Sequence, residues 1–138
     1  MMACDDYTIM LDTSFVVAYF NTRDQNHDLA TKTGKTLARQ NLELYITDYI
    51  FGEIVTVVFV KLKNLEKALD IGKIVLESCN LIHVEKDIFE HAWKIFSGQK
   101  LRLSFVDCIT IAVMQDRKMQ KIATFDGDFA KVKGVQVL

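Results

Sequence analysis

The sequence predicts an α/β fold, a parallel sheet covered by helices. Short apolar stretches alternate along the chain with longer segments whose apolar residues recur at helical spacing, the pattern of strands joined by crossover helices. Proline is absent and the six glycines are scattered, so nothing marks an interdomain linker. With 138 residues, half of them hydrophobic and a quarter charged, the chain suffices for one compact domain spanning residues 1–138, with a core that needs neither disulfides nor structural metal.

Tyr7 to Leu11 is the first strand, ending at Asp12-Thr13-Ser14, after which Phe15, Val16, Tyr19 and Phe20 recur at helical intervals. Asp24 to Gln40 is mostly polar and reads as a surface helix. Leu44 to Ile46 is the second strand, and Thr47-Asp48 supplies an N-cap for a helix running to about Lys61. Leu65 to Ser78 gathers Leu65, Ala68, Leu69, Ile71, Val75 and Leu76 on one helical face. Leu81 to Val84 is a weak strand, and Asp87 to Phe96 an amphipathic helix in which Trp93 is expected to pack against the core. Ser104 opens a further helix carrying Val106, Ile109, Ile111, Val113 and Met114. Lys121 to Thr124 is a strand, Asp126 to Lys131 a turn or short helix, and Val135 to Val137 a terminal strand.

Cys4, Cys79 and Cys108 are odd in number, widely separated and without C-x-x-C spacing, which argues against a disulfide framework or zinc site and for a reducing cytoplasm. The N-terminal segment is acidic where a secretory leader is basic, and the longest apolar run, Ile54 to Val60, falls far short of the ~18 residues of a membrane span. No membrane association is expected.

The acids carry the chemical signal. In an open parallel sheet, ligands bind beyond the carboxyl ends of the strands, where helices begin. Asp12 follows the first strand, Glu53 lies in the helix after the second, Asp107 is in the first turn of its helix and Asp126 follows a late strand, so all four are placed to converge on one rim. Each has a structural alternative. Asp12 and Asp126 suit N-caps, and Ser104 to Asp107 matches a capping box. Glu53 is the only charged residue between Asp48 and Lys61, in a run apolar on nearly every face; it needs a cavity, a cation, or a Lys or Arg partner. Asp128 adds an acid near Asp126, with a solvated turn as its alternative. Crowded carboxylates repel one another unless cations enter, and with no His or Cys alongside, one or two hard ions such as Mg²⁺ or Mn²⁺ are expected. Thr13, Ser14 and Thr124 stand beside these acids as supporting hydroxyls.

Other motifs fail on spacing. Lys32 to Thr36 lacks the glycine a phosphate loop needs, since Leu29 stands in its place, and Ser14 replaces the second acid of a phosphoaspartyl phosphatase. His27, His83 and His91 show no ligand spacing, and Cys108 reads as a small buried residue.

Four segments, Met10 to Phe15 (MLDTSF), Ile46 to Glu53 (ITDYIFGE), Leu103 to Thr110 (LSFVDCIT) and Ala123 to Phe129 (ATFDGDF), together resemble the PIN-domain family and, within it, the single-domain VapC-like ribonuclease toxins. The resemblance runs nearly end to end and in order. It implies a three-layer α/β/α sandwich with a central parallel sheet of about five strands and a metal-dependent ribonuclease site. Asp12, Glu53, Asp107 and Asp126 would then be the catalytic, metal-binding acids, with Asp128 as an additional metal candidate and Thr13, Ser14 and Thr124 in support. It further implies an RNA substrate, a cognate antitoxin and homodimerisation. A catalytically silent RNA- or protein-binding module and a housekeeping RNA-processing nuclease are the alternatives.

The formal charge of −1 is too neutral for binding nucleic acid by bulk charge, but it is unevenly spread. Acids lead 14 to 9 through Trp93, whereas from Lys94 onward basic residues lead 8 to 4. Lys94, Lys100, Arg102, Arg117, Lys118, Lys121, Lys131 and Lys133 are candidates to line an RNA path. Phe15, Val16, Tyr19 and Phe20 combine core packing with a candidate partner groove.

Overall fold

The computed structural model describes residues 7–138. Cys4 and the acidic N-terminal segment lie outside these residues. The elements follow the order β1 (Thr8–Leu11), α1 (Thr13–Phe20), α2 (His27–Arg39), β2 (Glu43–Thr47), α3 (Asp48–Leu62), α4 (Leu65–Ser78), β3 (Asn80–Ile82), α5 (Lys86–Gly98), α6 (Phe105–Asp116), β4 (Lys121–Ala123), a 3-10 turn (Gly127–Lys131) and β5 (Gln136–Val137). The five strands form one parallel sheet in the order β3-β2-β1-β4-β5. Helix α1 packs on α2 and α3, and α3 on α4; α5 packs on α6. With right-handed crossovers, these two groups cover opposite faces and complete an α/β/α sandwich.

Strand β1 is central and buried along its whole length, as expected of a strand covered on both faces. Helix α6 is buried without a break from Cys108 to Met114 and forms the largest single contribution to the core from one helix. Gly34 of α2 lies against Tyr19 of α1; a Cβ there would meet the tyrosine ring at 2.7 Å, so this glycine serves helix packing. Among the described residues, no helix is long and apolar enough to cross a membrane.

Element ends shift from the sequence expectation where side chains intercept backbone groups. Asp24 takes the Asn26 amide at 2.8 Å, so α2 starts later than Asp24. Asp48 takes the Val84 amide at 3.3 Å, and β3 stops at Ile82. Thr47 caps α3 by accepting from the Ile50 amide at 3.1 Å, as its sequence predicts.

The chain moves from β1 outward to β2 and β3, then crosses back to β4 on the other side of β1. This places the topological switch point between β1 and β4, the position where a parallel α/β sheet opens a crevice at its carboxyl edge.

Candidate active site

Asp12 continues the β1 ladder by one residue, its amide donating to the Ala123 carbonyl at 3.0 Å. That bond sets its side chain beside the end of β4. The carboxylate is buried, and its Oδ2 accepts from the Thr124 hydroxyl at 2.7 Å and from the Ser14 hydroxyl at 3.0 Å. Two hydroxyls donating to one oxygen favour the ionised carboxylate. The same hydroxyl oxygens accept amides of the loop after β4, Ser14 that of Phe125 across the two segments and Thr124 that of Asp126 within its own, each at 3.0 Å. The start of α1 is thereby tied to the loop after β4. Despite these bonds, burial raises the Asp12 pKa above its ordinary value, and the Asp126 charge adds to the rise.

Asp107 sits in the first turn of α6. Ser104 and Asp107 form the reciprocal capping box, the Ser104 hydroxyl accepting from the Asp107 amide and the Asp107 Oδ2 accepting from the Ser104 amide, both at 3.1 Å. Burial pushes Asp107 up to about 6, opposed by the Ser104 amide and reinforced by the Asp12 and Asp126 charges. Capping and site membership therefore coexist in one residue. Asp126 caps the 3-10 turn, its Oδ1 accepting from the Asp128 amide at 3.0 Å.

Glu53 projects from the second turn of α3 and is half-buried; its Oε1 accepts from the Thr13 hydroxyl at 2.7 Å. Among the described residues, no lysine or arginine pairs with Asp12, Glu53, Asp107 or Asp126, which removes the salt-bridge alternative for Glu53. Asp128, by contrast, has its own cation, Lys131 at 3.2 Å.

The structure thus brings Asp12, Asp107 and Asp126 within electrostatic reach of one another and tethers Glu53 to the residue following Asp12. Among the described residues, no three acids, histidines or cysteines stand close enough to form a ready ion cage. The donor set still fits a hard divalent ion. Mg²⁺ keeps several waters and takes one or two carboxylates plus substrate phosphate rather than a closed protein cage. Desolvated carboxylates without cation partners supply that chemistry. Burial raises the thiol pKa of Cys79 to about 11 and also that of Cys108, so neither is a thiolate near neutrality.

Several sequence expectations are corrected. Arg117 and Lys118 follow α6, and Lys121 opens β4, so they lie at the amino edge of the sheet, opposite the acids. Arg117 instead sits over the Tyr45 ring at 5.9 Å. Trp93 is not packed in the core but is 58% exposed. Its position at i+4 from Phe89 on an amphipathic helix was readable, but the same spacing fits a core stripe. The expected apolar groove is present, a cleft of about 410 Å³ lined by Phe15, Val16, Tyr19, Phe20, Leu37 and Ile74 among others.

The PIN domain family model matches residues 9–135. The chain belongs to the PIN domain family. This PIN domain is 30% identical over 132 residues to the 23S rRNA-specific endonuclease VapC20 of Mycobacterium tuberculosis, covering 94% of this chain and 97% of that protein. The crystal structure of Mycobacterium tuberculosis VapC20, described as a sarcin-ricin loop cleaving toxin, superposes on it with a TM-score of 0.80 at 28% identity, covering 89% of this chain and 93% of that one. A toxin–antitoxin complex from Klebsiella pneumoniae shares the fold, with a TM-score of 0.68 at 20% identity over 93% of this PIN domain and 95% of the matched chain.

Proposed function

We propose that this PIN domain is a divalent-metal-dependent endoribonuclease that hydrolyses RNA phosphodiester bonds and acts in the cytoplasm as the toxin of a toxin–antitoxin pair. The carrying observation is the group of carboxylates, Asp12, Asp107 and Asp126, gathered without a cation partner at the sheet's switch point, with Asp12 and Asp107 partly stripped of water by burial. The likeness to VapC20 along almost the whole of both chains supports the substrate class and the toxin role.

Asp12, Glu53, Asp107 and Asp126 would hold Mg²⁺ or Mn²⁺. Such an ion, when bound, lowers the pKa of a water and offsets charge on the phosphate. The protein's own part is positional. Ser14 and Thr124 donate to Asp12 and oppose the rise that burial gives its pKa, and Thr13 orients Glu53 through one oxygen. The Ser104 amide holds Asp107 at the helix start. These contacts keep like charges close before substrate arrives, a repulsion the cations relieve. Cleavage by water would leave a 5′-phosphate and a 3′-hydroxyl. The apolar cleft between α1, α2 and α4 offers an antitoxin segment a site adjoining the acids, since Phe15 in its wall follows Ser14 and stacks on Phe125 with ring centroids 6.2 Å apart.

The test is RNA cleavage by the purified chain and by its Asp12→Asn and Asp107→Asn variants. Loss of cleavage in both, with circular dichroism unchanged, supports the assignment; undiminished cleavage in both refutes it.

A further inference from the structure

We propose that the cleft between α5, α6 and the segment after the 3-10 turn holds the RNA strand on one side of the scissile phosphate, with Lys94 and Lys100 contacting its backbone. The proposal rests on the ribonuclease reading and names the surface along which the substrate leaves the acids.

The cleft encloses about 340 Å³. Lys94, Gln99, Lys100 and Gln115 supply its polar lining, and Leu103, Ile111 and Val132 part of its apolar lining. Among the described residues, no carboxylate lines it, and neither Lys94 nor Lys100, both exposed, pairs with an acid. Two unpaired ammonium groups in a cleft free of acids favour an anion, and the apolar lining suits ribose and base beside the phosphates. The cleft beside His83 differs in this respect. It sets Glu85, Asp87 and Asp116 against Arg117, a balance that repels a polyanion.

The walls of the cleft continue the segments that hold the site's acids. The loop from Gln99 runs through Leu103 into the Ser104 cap and so to Asp107, and Val132 ends the 3-10 turn that Asp126 caps. On α6, Asp107, Ile111 and Gln115 follow at i, i+4 and i+8 and lie along one side of the helix. Ile111 and Gln115 therefore stand roughly 6 and 12 Å from Asp107 along the axis, about two to four nucleotides at a stacked rise of ~3.4 Å. The loop is also fixed before substrate arrives. The Gln99 side chain donates to the Leu103 carbonyl at 2.9 Å and accepts from the Leu103 amide at 2.8 Å, and Leu103 is buried. Lys100 is thus carried on a braced segment, which lowers the ordering cost of binding.

The test is binding of a fluorescein-labelled single-stranded RNA to the full-length Asp12→Asn chain, followed by anisotropy across a salt series. The same chain is measured with Lys94→Gln and Lys100→Gln together, and with Lys32→Gln and Lys35→Gln together. Lys32 and Lys35 are exposed on α2, across the sheet, so that pair removes the same charge without touching the cleft. The cleft pair should weaken binding about 10-fold and reduce the slope of log K against log salt by about 1.4, the loss of two phosphate contacts to a single strand. The α2 pair should change affinity by less than about twofold. Gln115→Glu, which keeps the side chain's size and sets an acid in the cleft, should also weaken binding. With Asp12 intact, the cleft pair should raise the KM for RNA cleavage about 10-fold. Equal losses in the two pairs, or an unchanged slope in the cleft pair, overturn the proposal. RNA binding that depends on Lys94 and Lys100, in a chain that cleaves no RNA with Asp12 intact, supports the cleft and defeats the nuclease reading; cleavage with a KM indifferent to both lysines defeats the cleft alone.

Discussion

At the scale of single residues, the site depends on hydroxyls as much as on acids. Asp12 is buried and its Oδ2 accepts from the Ser14 and Thr124 hydroxyls, so in the proposed nuclease these side chains would act through Asp12 rather than on the substrate. Partners of this kind, when removed, typically cost 10–100-fold in metal affinity or activity. Thr13→Ala, which frees Glu53, should lower kcat/KM by about 10–100-fold and shift the metal titration to higher concentration, while Thr13→Ser recovers most of the rate. Asp107 makes pH a second probe. Its pKa in the folded chain, about 6, lies above its ordinary 3.8, so between these values the folded state binds more protons than the unfolded state. Stability of the metal-free chain therefore falls as pH rises through this window and levels off above it. Thermal melts of wild type and Asp107→Asn in chelator test the sign, since the variant should show a shallower decline.

Among the elements, α6 joins fold and site most tightly, because Ser104 and Asp107 form its capping box while Asp107 faces the other acids. Ser104→Ala should cost about 1 kcal/mol of stability, read by denaturant unfolding, and should also reduce cleavage, because Asp107 loses its anchored helix start. A cap with no part in the site would move stability alone. The helix and strand succession was legible in the sequence because apolar periodicity switches cleanly along the chain, and Thr47 and Ser104 marked helix starts correctly. The ends of α2 and β3 were less legible. They depend on Asp24 and Asp48 taking particular amides, a contact that leaves no periodic trace. The convergence of Asp12, Asp107 and Asp126 was legible from their places, Asp12 and Asp126 directly after strands and Asp107 in the first turn of its helix. Which cations stood near them was not, since the reach of Arg117 or Lys121 depends on which end of the sheet each occupies. The exposure of Trp93 was hidden for a related reason: helical spacing says that a stripe shares a face, not whether another layer covers it.

For the whole molecule, the near-zero formal charge is the sum of an acid-rich stretch through Trp93 and a stretch from Lys94 onward in which basic residues predominate, and both contribute acids to the crevice. A crevice that repels itself is stabilised by whatever neutralises it. Mn²⁺ or Mg²⁺ at millimolar concentration should therefore raise the melting temperature, and raise it less in Asp107→Asn. A melting temperature indifferent to both ions would count against metal binding at the strand ends. The central claim is that these carboxylates run metal-dependent hydrolysis of RNA. The most direct measurement is cleavage of an end-labelled RNA by the purified chain, first in chelator and then across a Mg²⁺ or Mn²⁺ titration, with the product ends identified. The account predicts no cleavage in chelator, cleavage restored by the ion, and 5′-phosphate with 3′-hydroxyl ends. Cleavage that persists undiminished in chelator, or that leaves a 2′,3′-cyclic phosphate, would contradict it.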